Sequence, residues 1–195
     1  MPRLARRPPR PCHPVRQLWH GRHRRGRNSR GAARTARARG GLEASGVPFL
    51  WSLPKESCPQ LLLGFLDLER GKVVPWVPQA AMLCHPSVGT SVTHAGWASV
   101  QEGISVGMPM ACCPFFTDQK MNAQLVACVW GFGMVLEEPM MCEAVAAAVS
   151  SLLTREQVIR MWQKMQEMWG KAASAFTPDG GSRKNLDNLV KIVCR

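Results

Sequence analysis

Acidic residues are missing from the first 40 positions of this 195-residue sequence, which contain 13 Arg and no Lys. The whole chain has 25 Lys and Arg against 13 Asp and Glu, so residues 41–195 are close to neutral. The formal net charge of +12 therefore belongs to the amino-terminal segment. A nucleic-acid-binding domain presents its Lys and Arg on a folded face, where phosphates can dock. This distribution argues against such a domain and leaves only a basic tail for that role.

The sequence also lacks the cysteine spacings and apolar runs that indicate a metal site or a membrane protein. Its 8 cysteines form no C-x-x-C pair and have no His at metal-ligand spacing, so we expect no bound metal. We interpret them as thiols of a reducing compartment. No apolar run follows the charged amino terminus as in a secretory signal, and no stretch approaches the roughly 20 apolar residues that span a bilayer. The prediction is a cytoplasmic protein without a membrane span.

Composition divides the chain into two parts. Residues 1–40 are rich in Arg, Gly and Pro and poor in aliphatic side chains, so we expect a disordered leader. In residues 41–195, short apolar runs alternate with helical patterns, which indicates one α/β domain. Strands are predicted at 47–53, 72–74, 89–94, 108–113 and 131–136. Helices are predicted at 80–83, 97–106, 118–129, 143–153, 154–176 and 182–194, the last with Ser182 as its N-cap. This alternation predicts a Rossmann-like, doubly wound parallel sheet.

The segment 76–119 carries the chemistry. A strand that ends in His94 and is followed by Gly96 and a helix predicts an anion site, because free amides and the positive end of the helix dipole meet there. Gly96 lets an anion approach the backbone closely. His94 can donate a hydrogen bond to a phosphate oxygen, and Ser99 can add a hydroxyl. Glu102 shares the helix face of Ser99, where its carboxylate suits the paired hydroxyls of a ribose.

Two further groups complete this pattern. Trp76 offers a flat face on which a base can stack. Asp118 and Gln119 combine a carboxylate with an amide near the carboxyl edge of the sheet, and this pair suits the hydroxyls of a hexose. Taken singly, several of these residues have ordinary structural interpretations. Trp76 and Trp97 could be core aromatics, and His94 could be a structural imidazole with its hydrogen bonds satisfied. Glu102 could be a solvated helix charge, and Asp118 the N-cap of the helix that follows. Their occurrence together favours the ligand site.

These residues resemble the signature box of plant secondary-product glycosyltransferases, a family that moves sugars from UDP-sugars to small acceptors on a two-domain GT-B fold. The box corresponds to WVPQ at 76–79, HAGWAS at 94–99 and PFFTDQ at 114–119. Further segments are similar to the grass Bronze-type anthocyanidin and flavonol 3-O-glucosyltransferases in particular: 47–53, 71–75, 115–123, 129–133 and 182–185. The resemblance implies that residues 41–195 form the C-terminal, UDP-sugar-binding domain of such an enzyme.

The resemblance also implies which residues bind the UDP-sugar: Trp76, Val77, Gln79, His94, Gly96, Trp97, Ala98, Ser99, Glu102, Asp118 and Gln119. Trp76 would stack on uracil, the backbone of Val77 would meet the edge of the base, and Gln79 would lie nearby. His94 and Ser99 would hold the diphosphate and Glu102 the ribose.

The remaining positions concern the sugar and the acceptor. Asp118 and Gln119 would hold glucose, the favoured donor sugar, while Phe116 or Thr117 would touch the acceptor. Most members of the family have Asn where this chain has Ala98. The missing amide implies UDP binding weaker by about 1 to 3 kcal/mol.

By resemblance, the activity is inverting transfer of glucose from UDP-glucose to a flavonoid 3-hydroxyl, in a monomer that needs no metal or other cofactor. The family's general base is a His near the amino terminus, paired with an Asp. No residue here matches that pair, so the resemblance implies no catalytic residue in this chain and a truncated, inactive form. The family's Val-Ser-Phe-Gly-Thr loop is also missing. Codons for residues 17–27, shifted by one frame, can encode Ser-Phe-Gly-Thr-Val-Ala-Thr-Ala-Ala-Ala, so we hypothesise that the leader is an out-of-frame translation.

Two other functions stay open from the sequence alone. One is a non-catalytic remnant that binds a UDP-sugar or a protein partner; UDP binding without turnover would favour it. The other is an Arg-rich nucleic-acid-binding protein, whose affinity would fall steeply with salt and vanish when residues 1–40 are deleted.

Overall fold

The computed structural model describes residues 16–20, 29–53, 71–136, 141–151 and 155–194. Its strands are β1 (Arg16–His20), β2 (Phe49–Ser52), β3 (Gly71–Val74), β4 (Val88–Thr93), β5 (Met110–Cys112) and β6 (Gly133–Val135). Its helices are α1 (Ser29–Ala44), α2 (Gln79–Cys84), α3 (Trp97–Val106), α4 (Thr117–Gln124), α5 (Cys142–Ser151), α6 (Arg155–Ala175) and α7 (Gly181–Val193). A π-helical turn, Leu125–Val129, continues α4.

The six described strands form one parallel sheet in the order β3-β2-β1-β4-β5-β6. This is the strand order of a doubly wound dinucleotide-binding fold, and it confirms the predicted fold class. The order reverses between β1 and β4, and ligands of such sheets bind at the carboxyl ends of the strands beside that reversal. The carboxyl end of β4 therefore lies where a site is expected.

Both faces of the sheet are covered by helices. Successive residues of a strand point to opposite faces, so one strand contributes to the core on both sides. Met110 and Cys112 of β5 are buried in the cluster formed with α3 and α4, while Ala111 between them is buried in the cluster formed with α1 and α5. This explains why the central strands appear in the sequence as continuous apolar runs. The five predicted strands are all present, with ends that differ by at most two residues.

The predicted N-cap of the last helix is wrong. The cap of α7 is Gly180, and Ser182 is the second residue of the helix. The chain passes so close to the end of α6 that a Cβ at Gly180 would collide with the carbonyl oxygens of Ser174 and Ala175. Glycine is therefore required at the cap, although serine is the better side-chain cap.

The structure differs from the expected disordered leader in two segments, since β1 and most of α1 lie within residues 1–40. β1 pairs with both β2 and β4. α1 crosses the expected boundary at residue 41 and packs on α5. The surface of α1 that contacts α5 is narrow. Ala38 and Leu42 are buried there, and the helices lie so close that a Cβ at Gly41 would collide with Val145. Residues 1–15 and 21–28 lie outside the described residues.

None of the helices in the described part of the chain combines the length and the apolar character that a membrane crossing requires.

The cysteines should differ sharply in reactivity. The six in the described ranges are thiols, and burial raises the pKa of the Cys112 thiol to about 12 because the thiolate would lose its hydration. Cys128 and Cys194 are exposed. We expect alkylation of the native protein at pH 8, followed by peptide mapping, to modify Cys128 and Cys194 and to spare Cys112 until the chain is unfolded. Rapid modification of native Cys112 would contradict this burial.

Candidate functional site

The site is built where β4 passes into α3. His94 follows β4 directly, and Ala95 has a left-handed backbone conformation with φ of 60°. Gly96 is the N-cap of α3 with an extended backbone, and its carbonyl accepts the N–H of Val100 at 3.1 Å. Glycine has no side chain with which to cap the helix, so the first amides of α3 can bind an anion instead. The left-handed conformation of Ala95 turns the chain sharply from β4 into α3.

The imidazole of His94 lies directly over Gly96. A Cβ at Gly96 would collide with Nε2 of His94, so the ring occupies the space that a side chain at position 96 would need. On its other side the ring contacts Phe115, with ring centroids 5.9 Å apart. Gly96 and Phe115 therefore hold the half-buried imidazole at the start of the helix.

A cavity of about 170 Å³ opens in front of this helix start. It is lined by seven residues, all of which the family resemblance assigned to the UDP-sugar site: Gln79, His94, Gly96, Trp97, Ala98, Ser99 and Glu102. Ligand pockets usually measure about 300 to 1,000 Å³, so this cavity has room for only part of a ligand of that size. Glu102 is half-buried on the face of α3 that also carries Ser99. A hydroxyl and a carboxylate thus share the cavity with the imidazole.

The other predicted site residues lie outside that cavity. Trp76 is 73% exposed just before α2, where its indole faces solvent, and Val77 beside it is half-buried. Asp118 and Gln119 lie in the first turn of α4. The residue that caps α4 is Phe116 and not Asp118, which is exposed and lies one position after Thr117.

The side-chain amide of Gln119 has a fixed orientation. Its Oε1 accepts the backbone N–H groups of Phe115 and Phe116, each at 3.1 Å. This is half of a capping box, and it uses the carbonyl oxygen of the amide. The Nε2 of Gln119 then remains as the group that can donate to a ligand. Phe116, expected at the acceptor, is 61% exposed.

An aromatic stack supports the cavity from behind. Trp97, which lines the cavity, contacts Trp130 with ring centroids 6.4 Å apart, and Trp130 stacks on buried Phe132 at 5.7 Å. Trp130 follows the π-helical turn and donates its N–H to the carbonyl of Leu125 at 2.8 Å. The position of Trp97 therefore depends on the end of the segment that begins with α4.

One residue of the site was missed from the sequence. Asn122 of α4 is only 5% exposed, and its Nδ2 donates to the carbonyl of Ala95 at 3.0 Å. The N–H of Ala95 is bonded as well, to Oγ1 of Thr93 at 3.3 Å. A polar side chain on the buried face of an otherwise ordinary helix was the available signal, but its partner 27 residues away was not predictable.

Comparison with known proteins agrees with this geometry. The family described as UDP-glucoronosyl and UDP-glucosyl transferase matches residues 30–164. An anthocyanidin 3-O-glucosyltransferase of Zea mays is 57% identical over 159 residues, which cover 80% of this chain and 34% of that protein. One from Hordeum vulgare is 57% identical over 157 residues, with coverages of 80% and 34%. The chain thus spans about a third of the length of the curated relatives it matches.

A solved structure shows the same fold. The crystal structure of a UDP-glucose:anthocyanidin 3-O-glucosyltransferase in complex with UDP superposes with a TM-score of 0.80 at 30% identity, covering 93% of this chain and 40% of that chain.

Proposed function

Because this chain belongs to the UDP-glucoronosyl and UDP-glucosyl transferase family, we propose that its cavity binds the UDP part of UDP-glucose. The observation that carries the proposal is the open helix start at Gly96, which faces a cavity lined by an imidazole, a hydroxyl and a carboxylate. The diphosphate lies against the first amides of α3, where the helix dipole and the imidazole of His94 offset its charge. The hydroxyl of Ser99 donates to a phosphate oxygen, and Glu102 accepts from the ribose hydroxyls.

The base and the sugar extend from the cavity on either side. Trp76 has the exposed, flat indole face that stacking on uracil requires, with Val77 and Gln79 at the edge of the base. Asp118 supplies acceptor oxygens for glucose hydroxyls, while Gln119 supplies its Nε2, since its oxygen is bonded to the backbone. Such a pair suits a hexose, whose hydroxyls both donate and accept.

We further propose that the complete enzyme transfers glucose to the 3-hydroxyl of an anthocyanidin or flavonol, with inversion. The relatives of Zea mays and Hordeum vulgare are named for such an activity. A general base must remove the proton of the acceptor hydroxyl while the diphosphate leaves. In this chain the described cavity offers nucleotide-binding groups, and Phe116 and Thr117 lie beside the proposed sugar position at the start of α4. Binding of UDP-glucose without transfer is therefore the activity that we propose for this chain by itself.

Calorimetry on the full chain tests the nucleotide site. We expect UDP to bind, and we expect His94→Ala and Glu102→Ala each to weaken the Kd about tenfold, because each removes a hydrogen bond to a charged or polar group of the ligand. Glu156→Ala is the matched control, since Glu156 is an exposed carboxylate of α6 that pairs with Arg160 at 2.9 Å, within the same helix. Equal affinity in all four proteins, or no heat with UDP, would refute the proposed site.

A separate assay tests the proposed lack of transfer. The chain is incubated with UDP-glucose and a flavonol, and glucoside and released UDP are measured by mass spectrometry. Neither should exceed the level seen with the His94→Ala variant. Glucoside formation above that level would show that the chain carries its own catalytic base, and the binding-only interpretation would then fail.

A further inference from the structure

The backbone at Ala95 is unusual and must be held by its surroundings. Ala95 is the single non-glycine residue in the described ranges with a positive φ. Residues with a Cβ rarely adopt this left-handed conformation, because the Cβ crowds the following carbonyl oxygen. Such conformations persist where neighbouring groups fix them, and they cluster at functional sites. Ala95 is fully buried, immediately before the helix start that faces the cavity.

The group that fixes Ala95 comes from a different element. Nδ2 of the buried Asn122, in α4, donates to the carbonyl oxygen of Ala95 at 3.0 Å. In a trans peptide the C=O of one residue and the N–H of the next point in opposite directions. Because Asn122 draws the carbonyl of Ala95 into the interior, the N–H of Gly96 points the other way. Gly96 lines the cavity, so this amide is directed toward the cavity.

We propose that Asn122 is a positioning residue for the diphosphate: it acts through the Ala95–Gly96 peptide to orient the amides at the start of α3. The proposal rests on the proposed function, because it assumes that a diphosphate occupies the cavity. Asn122 itself is buried and is not among the residues that line the cavity. Since the first turn of α4 also contains Asp118 and Gln119, the same hydrogen bond would fix the distance between this turn, proposed to face the sugar, and the start of α3, proposed to face the diphosphate.

The variants are made in the full chain. Asn122→Ala removes the donor, and Asn122→Asp removes it while keeping the size of the side chain. The control is Thr90→Val, because Thr90 is also buried and its Oγ1 donates to the carbonyl of Pro109 at 3.1 Å, away from the turn. Ala95→Gly is added to Asn122→Ala, because glycine adopts a positive φ without steric cost and so needs less support.

Calorimetry with UDP gives the first readout. We expect Asn122→Ala and Asn122→Asp to weaken the Kd about tenfold, the effect of losing one well-aimed hydrogen bond to a charged group. Thr90→Val should lower the melting temperature about as much as Asn122→Ala does, but it should leave the Kd unchanged. The double variant Ala95→Gly, Asn122→Ala should bind UDP at least about threefold more tightly than the single variant Asn122→Ala. A purely structural role of Asn122 would give no such selective recovery.

Hydrogen exchange without ligand gives the second readout. Asn122→Ala should speed exchange of the amides of Ala95 and Val100, which donate to Oγ1 of Thr93 and to the carbonyl of Gly96, and leave those of β5 unchanged. If the wild type does not bind UDP but exchange at Ala95 and Val100 still depends on Asn122, the proposed function fails and the positioning of the turn stands. If UDP binds and Thr90→Val weakens it as much as Asn122→Ala does, or exchange at Ala95 and Val100 is the same in both variants, the inference is overturned.

Discussion

Changing Gly96 to alanine should weaken UDP binding about 10- to 100-fold while the free energy of unfolding stays within about 1 kcal/mol of the wild type. The backbone of Gly96, at φ −62° and ψ 144°, accepts any L-residue. The new Cβ would instead collide with Nε2 of His94, the far end of a side chain that can rotate away. The fold therefore survives, but the imidazole leaves the position from which we propose that it donates to the diphosphate. Calorimetry and thermal unfolding measure the two effects separately.

Comparing the effect of Gly96→Ala in the wild type and in a His94→Ala protein shows which role Gly96 has. In a His94→Ala protein the collision partner is gone, so adding Gly96→Ala should cost little further affinity. If the loss is as large in that background, the Cβ blocks the ligand itself, which is the role that the sequence assigned to Gly96. Gly170→Ala is the matched control, because a Cβ at Gly170 meets nothing within 4 Å. It should leave UDP binding unchanged and stabilise α6 by roughly 0.5 to 1 kcal/mol.

A chain that begins at residue 41 should not fold cooperatively. Deleting residues 1–40 removes β1, which lies between β2 and β4 in the middle of the sheet, and most of α1, which packs on α5. The backbone groups of β2 and β4 that bond to β1 would then lose their partners inside the domain, at a cost of about 1 to 3 kcal/mol for each buried group. We expect no sigmoidal melting transition by circular dichroism and no UDP binding for residues 41–195.

A chain that begins at residue 16 separates folding from charge. It keeps β1 and α1, so it should melt and bind UDP like the whole chain while losing four of the basic residues. Full stability and UDP affinity of residues 41–195 would contradict the sheet order and restore the disordered leader. A third outcome would favour the basic-tail alternative: the whole chain binds nucleic acid in a salt-sensitive way, while residues 41–195 fold but do not bind it.

Much of the fold could be predicted because its signals are local. The strand from Met110 to Cys112 is a short apolar run, and it is buried on both faces as such runs are in parallel sheets. Helix α3 begins at Trp97 and ends at Val106, as its spacing and the following Gly107 predict, and Gly107 has the left-handed conformation of a helix end. The cavity residues from His94 to Glu102 were predictable for the same reason, since one strand end and one helix turn bring them together.

The parts that could not be predicted depend on contacts between distant residues. Helix α1 has a composition typical of disorder, because its contact with α5 uses Ala38, Gly41 and Leu42 instead of a wide apolar stripe. The bond from Asn122 to Ala95 joins two elements, and nothing near Ala95 in the sequence indicates a positive φ. The cap at Gly180 depends in the same way on the carbonyl groups of α6.

The π-helical turn after α4 determines on which side of its helix Trp130 lies. A π-turn contains one residue more than an α-turn, so it takes up an extra residue and keeps the residues that follow on the same face. If Leu125–Val129 became α-helical without losing a residue, Trp130 would be rotated by about 100°, away from Trp97 and Phe132. Loss of one residue from this segment would instead give α-helical geometry and leave Trp130 near its place. Among homologous genes, a gap of a single residue should therefore be tolerated here, whereas a longer gap should not.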